Sequence, residues 1–392
     1  MEIVDVETIL LSHLIPKEET WYLGGIGGQA GTKGIKADMV ILKIHTDEDI
    51  VGIGEPSPYG GAIALKNAIE EIKPLLIGKD PFDVDLLTSR GRVIRRGRLV
   101  DTYVWAGVDM ALWDIMGKTS KRPVHKLLGG AYTNKVRAYA SGGIDWRFVK
   151  KPEILVKEAM GYAEKGFTAM KLRIGPDKRF ITAIKAVRDA VGYDFDLMIE
   201  GNTRFSDPPH AIKYAKMFER YEPYWFEEPI PAISTNIEAY AEIRRALPQI
   251  PITGGESKVS VEEMKPWIDG RAYDIVQCDA NVTGISELKR ISYLASLSGM
   301  SCCPHNWHNA ITTAANLQVV TSIPNHHVLE MQRTCHWSCP EFRTDIIKED
   351  LEPKNGYIEV PKKPGLGIEL NEDAFNKYPF QEGPLTVPWR LE

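Results

Sequence analysis

Four short β-like runs decide the fold: AMKLRI (Ala169–Ile174), DLMIE (Asp196–Glu200), YWFE (Tyr224–Glu227) and ITGG (Ile252–Gly255). Helix-like sequence separates them, for example at Phe180–Val191. Similar runs recur on both sides from about residue 135 onward, spaced roughly 23–31 residues apart, which is the length of one βα unit. Eight such units predict a parallel barrel with helices outside, because a doubly wound sheet rarely sustains so even a repeat.

The rest of the repeat is read in the same way. The other strand-like runs are Arg137–Ala140, Ile275–Cys278, Met300–Pro304 and Val328–Met331. Helix-like sequence follows at Pro152–Lys165, Pro209–Arg220 and Ser260–Ile268. The first hundred residues form a separate mixed unit, with strands predicted at Met39–Ile44 and Ile50–Gly54 and helices at Ala62–Leu76 and Val104–Met116.

Composition sets the outer bounds. The chain has 392 residues, of which 53 are acidic and 48 basic, so the formal net charge of −5 gives no general reason to bind a polyanion. The amino terminus carries acids rather than a basic patch, and no apolar run approaches the roughly 18–20 residues of a membrane span. The five cysteines do not look like a disulfide framework. We therefore expect a soluble cytoplasmic protein with neither a membrane nor a nucleic-acid partner.

Three successive strand-like runs end in acids, namely Glu200, Glu227 and, just past the third run, Glu256. Neighbouring strands lie about 4.8 Å apart, so these side chains can converge at one end of the barrel. Carboxylates that converge repel one another and raise one another's pKa, and a divalent cation relieves the conflict. A site made of oxygen ligands suits Mg²⁺. The sequence therefore predicts a magnesium site.

Further polar residues stand at other strand ends. Lys171 and Arg173 are two positions apart, so they share the inward face of their strand. Asp279 and His305 follow adjacent strands and predict a general base, with the carboxylate orienting the imidazole. Glu330 ends the eighth run and faces the same mouth, where we expect it to hydrogen-bond a substrate oxygen. His308 is the alternative to His305 if the strand end is misplaced.

In combination, these motifs resemble the enolase superfamily, in its mandelate racemase-like subgroup. The resemblance covers nearly the whole chain. Its motifs, in the family's order, are Asp109–Lys118 (DMALWDIMGK), Lys126–Gly130 (KLLGG), Lys171-x-Arg173, Glu227-Glu228-Pro229, Gly255-Glu256 and Pro304-His305.

The resemblance implies the domain organisation and the chemistry. It implies an α+β capping domain over residues 1–130, completed by the C-terminal segment 365–392, on a modified (β/α)₇β TIM barrel over 131–364. It also implies that Mg²⁺ is held by Glu200, Glu227 and Glu256. The reaction implied is abstraction of the proton α to a substrate carboxylate, with the metal stabilising the enediolate. Subunits of this family usually associate, so we expect a homo-oligomer.

Departures from the family pattern narrow the reaction. Glu200 stands where an aspartate is usual, and Asn202 follows at the matching offset. Arg173 occupies the position of a catalytic lysine in racemases, and an arginine is a poor base. Asp279 stands where the lactonising and dipeptide-epimerising branches carry a lysine. We therefore predict dehydration of a sugar acid, an aldonate or aldarate, to a 2-keto-3-deoxy acid, with His305 and Asp279 as the base.

In this prediction Lys171, Arg173 and Glu330 assist catalysis, while Asn202 and Trp21 bind substrate. Trp21 lies beside a glycine-rich loop that is a plausible lid. One alternative is a racemase or epimerase of a 2-hydroxy acid, with Lys171 as the second base. An alternative of another class is nucleic-acid binding through the arginines between Arg90 and Arg98, although the net charge is acidic and no nucleic-acid motif accompanies them.

Overall fold

The computed structural model describes residues 1–17, 19–24, 31–94, 99–333 and 339–389. The elements before residue 130 are β1 (Ile3–Leu14), β2 (Tyr22–Gly24), β3 (Gly31–Gly34), β4 (Lys36–Thr46), β5 (Val51–Gly54), α1 (Ala62–Leu76), α2 (Val84–Ile94), α3 (Leu99–Thr119) and α4 (Val124–Leu127).

An antiparallel sheet forms the core of this N-terminal unit, with strands in the order β1-β4-β5. The central strand β4 is buried on both faces over most of its length, which explains its apolar run Met39–Leu42. The predicted strands here and the helix Ala62–Leu76 are present. The long strand β1 was not predicted. The helix α3 packs between this sheet and the barrel, and it is apolar around most of its circumference because both sides are covered.

The elements that follow form the barrel and the C-terminal segment. The barrel strands are β6 (Lys135–Ser141), β7 (Ala169–Arg173), β8 (Asp196–Glu200), β9 (Pro223–Glu227), β10 (Ile252–Gly254), β11 (Ile275–Val276), β12 (Ser301–Cys302) and β13 (Leu329–Gln332). The helices between them are α5 (Glu153–Glu164), α6 (Arg179–Val191), α7 (Pro208–Phe218), α8 (Ile237–Ala246), α9 (Val261–Asp269), α10 (Ala280–Leu297) and α11 (Ala310–Thr321). The later elements are α12 (Pro340–Asp345), β14 (Tyr357–Glu359) and β15 (Thr386–Trp389).

The eight barrel strands are parallel and lie in the order β12-β11-β10-β9-β8-β7-β6-β13. A parallel bridge from Cys302 to His326 joins the two ends of this order. Seven helices connect eight strands, so the predicted (β/α)₇β barrel with an α+β capping domain is confirmed. The strands β11 and β12 are shorter than predicted, because the chain leaves the sheet after Val276 and Cys302.

The lower half of the barrel is filled by apolar side chains that point inward. This inner core is separate from the larger core between sheet and helices, and its members are Tyr139, Ala169, Met198, Trp225, Ile275, Cys303 and Val328. Because side chains alternate along a strand, the next inward positions after Ala169, Met198 and Trp225 are Lys171, Glu200 and Glu227. The apolar layer is therefore the floor beneath the polar strand ends.

The C-terminal segment returns to the N-terminal unit. The strand β15 pairs with β3, and the amide of Ser12 in β1 donates to the carbonyl of Tyr378. The domain limits at residues 130 and 364 stay a prediction. Cys278, Cys302 and Cys303 are free thiols, whereas Cys339 is disulfide-bonded. Among the helices described, none combines the length and the apolar character that crossing a membrane requires.

Candidate active site

Polar side chains from three adjacent strands lie side by side at the mouth of the barrel, which is the carboxyl end of its strands. Arg173 on β7 is in register with Glu200 on β8, and Glu200 is in register with Glu227 on β9. All three side chains are almost completely buried. Glu256 lies two residues beyond β10, and its side chain is 29% exposed. The structure therefore brings the predicted strand-end acids to one end of the barrel.

Lys171 lies at the centre of these acids. Its Nζ is 2.7 Å from Glu227 Oε1, 2.8 Å from Glu330 Oε1 and 3.3 Å from Glu200 Oε2. The side chain has no exposed surface. Burial alone would lower the pKa of Lys171, but the three carboxylates raise it well above 10.5. Lys171 is therefore a fixed cation that holds three carboxylates together.

Arg173 is fixed on three sides. Its Nη2 lies 3.0 Å from Glu200 Oε2, and its Nη1 donates to the carbonyl of Gly142 at 3.1 Å. The guanidinium carbon is 3.9 Å from the centre of the Trp307 ring, a distance typical of a cation–π contact. The geometry orients the guanidinium at the mouth, where it supplies positive charge and hydrogen-bond donors.

The acids outnumber the cations that face them. Burial raises the pKa of Glu227 to about 7, opposed by Lys171 and reinforced by Glu200, Glu330 and Glu256. Glu228, which was not predicted, has a left-handed φ of 34° and turns its carboxylate back to accept from the amide of Gly255 at 3.0 Å. Burial and then Glu256 raise the pKa of Glu228 to about 8.

This surplus of negative charge, carried by oxygen donors, fits a divalent cation at Glu200, Glu227 and Glu256. In the described part of the chain, the groups whose donor atoms already lie within 4.8 Å of one another are different ones, Asp279-His305-His308 and His13-Glu19-Cys339. Cys339 is disulfide-bonded, so the second group lacks a thiolate. The three glutamates as ligands stay a prediction.

Asn202 lies in the turn that follows β8. Its φ of 47° and that of Thr203, 57°, fold the chain sharply back over the strand end. The side-chain amide of Asn202 donates to Glu200 Oε1 at 3.1 Å. Asn202 thus orients the Glu200 carboxylate, and its role in substrate binding stays a prediction.

Asp279 and His305 form a buried pair. Asp279 is the N-cap residue of α10, and its Oδ2 lies 2.8 Å from His305 Nδ1. The other ring nitrogen, Nε2, lies 3.4 Å from Glu256 Oε2 and therefore faces the predicted metal ligands. Burial alone would lower the pKa of His305, but Glu256, Glu330 and Asp279 raise it to about 10. The arrangement is that of an oriented imidazole with one nitrogen directed at the mouth.

A network of amides, missed in the sequence, supports this pair. Asn316 of α11 donates to Asp279 Oδ1, to the carbonyl of His305 and to Asn306 Oδ1, at 3.1–3.2 Å. The backbone N–H of Asn306 donates to Glu330 Oε2 at 3.0 Å. Glu330 is completely buried between Asn306 and Lys171, with which it forms an ion pair. Its catalytic role stays a prediction.

His308 lies behind the pair and not in the mouth. It is 1% exposed, its Nε2 is 3.7 Å from Asp279 Oδ2, and burial lowers its pKa to about 4. Its ring packs edge-on against Tyr59 of the capping unit at 5.4 Å between centroids. Of the two histidines, His305 is therefore the one directed at the acids.

A second residue of the capping unit, Glu55, reaches the same loop and was also missed. Its Oε1 accepts from the amide of Asn309 at 2.9 Å, and its Oε2 accepts from the amide of Thr312 at 3.0 Å. Burial raises the pKa of Glu55, although these hydrogen bonds oppose the shift. Glu55 thus caps the N-terminus of α11 from the neighbouring domain.

Trp21 is not brought to the acids. It is 4% exposed and lines a cavity with Ile144, Asp145, Glu158 and Tyr162, and none of the predicted catalytic or metal residues lines that cavity. Its role as a substrate-binding residue stays a prediction. The side chains of the arginine cluster Arg90–Arg98 and most of the glycine-rich loop after Trp21 lie outside the described part of the chain.

Comparison with known proteins agrees with this arrangement. The family model described as enolase C-terminal domain-like matches residues 155–374, and the mandelate racemase/muconate lactonizing enzyme N-terminal domain matches residues 29–129. The chain is 34% identical to an arabinonate dehydratase of Saccharolobus solfataricus, over 87% of this chain and 90% of the relative. It is 31% identical to a D-galactarolactone cycloisomerase of Agrobacterium fabrum, over 96% of this chain and 99% of the relative.

A solved structure gives the same result. A member of the enolase superfamily from Polaromonas sp. JS666 superimposes with a TM-score of 0.87 at 29% identity, covering 99% of this chain and all of that one (100%). The N-terminal and the barrel parts of the chain thus match models of one family. The chain belongs to the mandelate racemase/muconate lactonizing enzyme family of the enolase superfamily.

Proposed function

We propose that the protein is a Mg²⁺-dependent dehydratase that converts a sugar acid into a 2-keto-3-deoxy acid. The observation that carries the proposal is the Asp279–His305 pair, whose free ring nitrogen faces the acidic strand ends. Several curated relatives are named dehydratases of sugar acids, among them D-galactonate dehydratase and D-xylonate dehydratase, and these names support the same reaction class.

Each residue of the site has a separate role in the proposed reaction. The neutral form of His305 takes the proton from the carbon next to the substrate carboxylate at Nε2, and Asp279 stabilises the imidazolium that forms. Burial lowers the pKa of His305 whereas Glu256, Glu330 and Asp279 raise it to about 10, so a cation held by Glu256 would favour this neutral form. The same proton then leaves with the β-hydroxyl as water, and the resulting enol becomes the 2-keto acid. A bound Mg²⁺ at Glu200, Glu227 and Glu256 would offset the second negative charge that develops on the carboxylate. Arg173, fixed by Trp307, supplies a further positive charge at the mouth.

Racemisation and cycloisomerisation are the neighbouring reactions in this family. Racemisation requires a competent base on each face of the α-carbon. Lys171 has no exposed surface and contacts three carboxylates, and Arg173 is a poor base. Neither Lys171 nor Arg173 on β7 is therefore available as a second base. Turnover in D₂O separates the reactions, because α-deuterium in recovered, inverted substrate indicates racemisation and 2-keto acid formation indicates dehydration.

The decisive variant is His305→Asn. We expect it to abolish 2-keto acid formation from a panel of aldonates and aldarates while Mg²⁺ binding, followed by calorimetry, persists. His327→Asn is the matched control, because His327 is partly buried but contacts Tyr224 near the amino ends of the strands. Full activity of His305→Asn would refute the proposal.

A further inference from the structure

Trp146 and Arg204, whose side chains stack on each other, each have a buried N–H donor without a hydrogen-bond partner among the described residues. Trp146 begins a short 3-10 helix after β6, and its Nε1 finds no acceptor among the described residues. Arg204 lies between β8 and α7, and the structure as described offers no acceptor to its Nε either. The guanidinium carbon of Arg204 is 4.6 Å from the centre of the Trp146 ring. Buried donors are seldom unpaired, because an unmade hydrogen bond leaves the loss of hydration uncompensated, so the two donors indicate a missing acceptor.

The charge of Arg204 is uncompensated in the same way. Within the described ranges, its guanidinium contacts the Trp146 ring and forms no ion pair with a carboxylate. The charged side chains that interact with the Arg204 guanidinium are Glu200, which attracts it, and Arg173, which repels it. The segment 25–30, which joins β2 to β3, contains no acidic residue. A half-buried guanidinium of this kind is typical of a site that takes an anion from outside the chain.

Arg204 and His305 lie on opposite sides of the mouth. In the closed order of strands, β8 is four positions from β12 in either direction. Arg204 follows β8, and His305 follows β12. A substrate that crosses the mouth with its α-carbon at His305 would therefore place its far end on the side of Arg204. Lys171 and Arg173 are on β7, which is one position from β8 and three from β12.

We propose that Arg204, stacked on Trp146, binds a second carboxylate at the far end of the substrate, so that the preferred sugar acid is an aldarate. The inference rests on the proposed dehydratase function and names its substrate class. A terminal hydroxyl would satisfy one donor but leave the guanidinium charge unpaired, whereas a carboxylate satisfies both requirements. The Trp146 ring holds the guanidinium in place through a cation–π contact.

The test compares an aldarate with the aldonate of the same configuration. Wild-type protein is expected to have the higher kcat/KM for the aldarate. Arg204→Met, which keeps the volume and removes the charge, should lower kcat/KM for the aldarate about 10- to 100-fold and leave that for the aldonate within about threefold. Arg204→Lys should retain part of the preference. Arg220→Met is the matched control, because Arg220 stacks on Tyr221 at 5.0 Å just before β9, at the other end of the barrel.

Binding separates this inference from the proposed function. The probe is 2,5-dihydroxyadipate, which has two carboxylates and no β-hydroxyl to lose, with affinity measured by calorimetry. Weaker binding to Arg204→Met supports the subsite even if no sugar acid is dehydrated, in which case only the proposed function fails. Equal binding to wild type and Arg204→Met overturns the subsite even if dehydration is observed. An equal loss on aldonate and aldarate also overturns it.

Discussion

Replacement of Glu55 by alanine tests how the capping domain positions the catalytic loop. Glu55 follows β5, and both of its carboxylate oxygens accept hydrogen bonds from backbone amides at the start of α11. The loop that leads into this helix carries His305 and His308. One carboxylate from the capping domain therefore fixes the end of the loop on which the proposed base lies.

The expected loss follows from these contacts. Glu55→Ala leaves the amides of Asn309 and Thr312 without an acceptor in a buried environment. Each unsatisfied buried donor costs about 1–3 kcal/mol, so the free energy of unfolding should fall by about 2–6 kcal/mol. Glu55→Gln keeps one acceptor and places a donor against the other amide, so its loss should be about half as large.

The measurement is urea unfolding of the two variants and of Glu70→Ala, which removes an exposed acid of α1. The control is expected to stay within about 0.5 kcal/mol of wild type. The turnover number of the Glu55 variants should also fall, because the loop carrying His305 is less well fixed. An unfolding free energy of Glu55→Ala within about 0.5 kcal/mol of wild type would show that water replaces the carboxylate, and the positioning role would be refuted.

Two further predictions concern the metal site and the packing of the capping domain. The pKa of the predicted ligand Glu227 is raised to about 7, and only an ionised carboxylate binds Mg²⁺, so Mg²⁺ affinity should increase from pH 6 to 8.5. Ionisation of the neighbouring Glu228, whose pKa is raised to about 8, adds negative charge in the same range. Binding should therefore release protons, which calorimetry in buffers of different ionisation enthalpy measures. An affinity independent of pH would contradict this. Gly54→Ala should lower the free energy of unfolding by about 1–3 kcal/mol or more, because the added Cβ would lie 2.0 Å from the carbonyl oxygen of Gly107. The control is Gly161→Ala in α5, whose added Cβ meets nothing within 4 Å and which should raise the free energy of unfolding slightly.

The barrel strands were predictable because buried parallel strands are short apolar runs that local sequence reveals. Asp196–Glu200 was predicted with both ends correct. The strand β1 was missed, since acids at Asp5 and Glu7 and the polar Ser12 and His13 interrupt its apolar pattern. It is stabilised by pairing with β4 along nearly its whole length, from Ile3 with Thr46 to Leu14 with Lys36. That pairing is a contact between distant segments and leaves no local signature.

Part of the candidate site was predictable from the sequence for the same reason. The acids at the strand ends and the pair Asp279–His305 follow from alternation and from where each run ends. Glu228, Asn316 and Glu55 do not, because their partners are distant in the chain; Glu55 meets an amide 254 positions away. The sequence also predicted polar residues at the mouth without showing that Lys171 is enclosed by three of the acids.

Two of the residues that the sequence did not predict, Glu55 and Asn316, act on the same helix, α11, and this gives a last prediction. Glu55 holds the N-terminus of α11 from the capping domain, while Asn316, on the same helix, holds Asp279 and the carbonyl of His305 from within the barrel. If both act by placing α11 against the loop, the effects of Glu55→Gln and Asn316→Ala on unfolding will not add. A double-mutant cycle should give a coupling energy above about 0.5 kcal/mol, with the double variant losing less than the sum. Additivity within about 0.3 kcal/mol would mean that the cap and the amide network hold the catalytic pair independently.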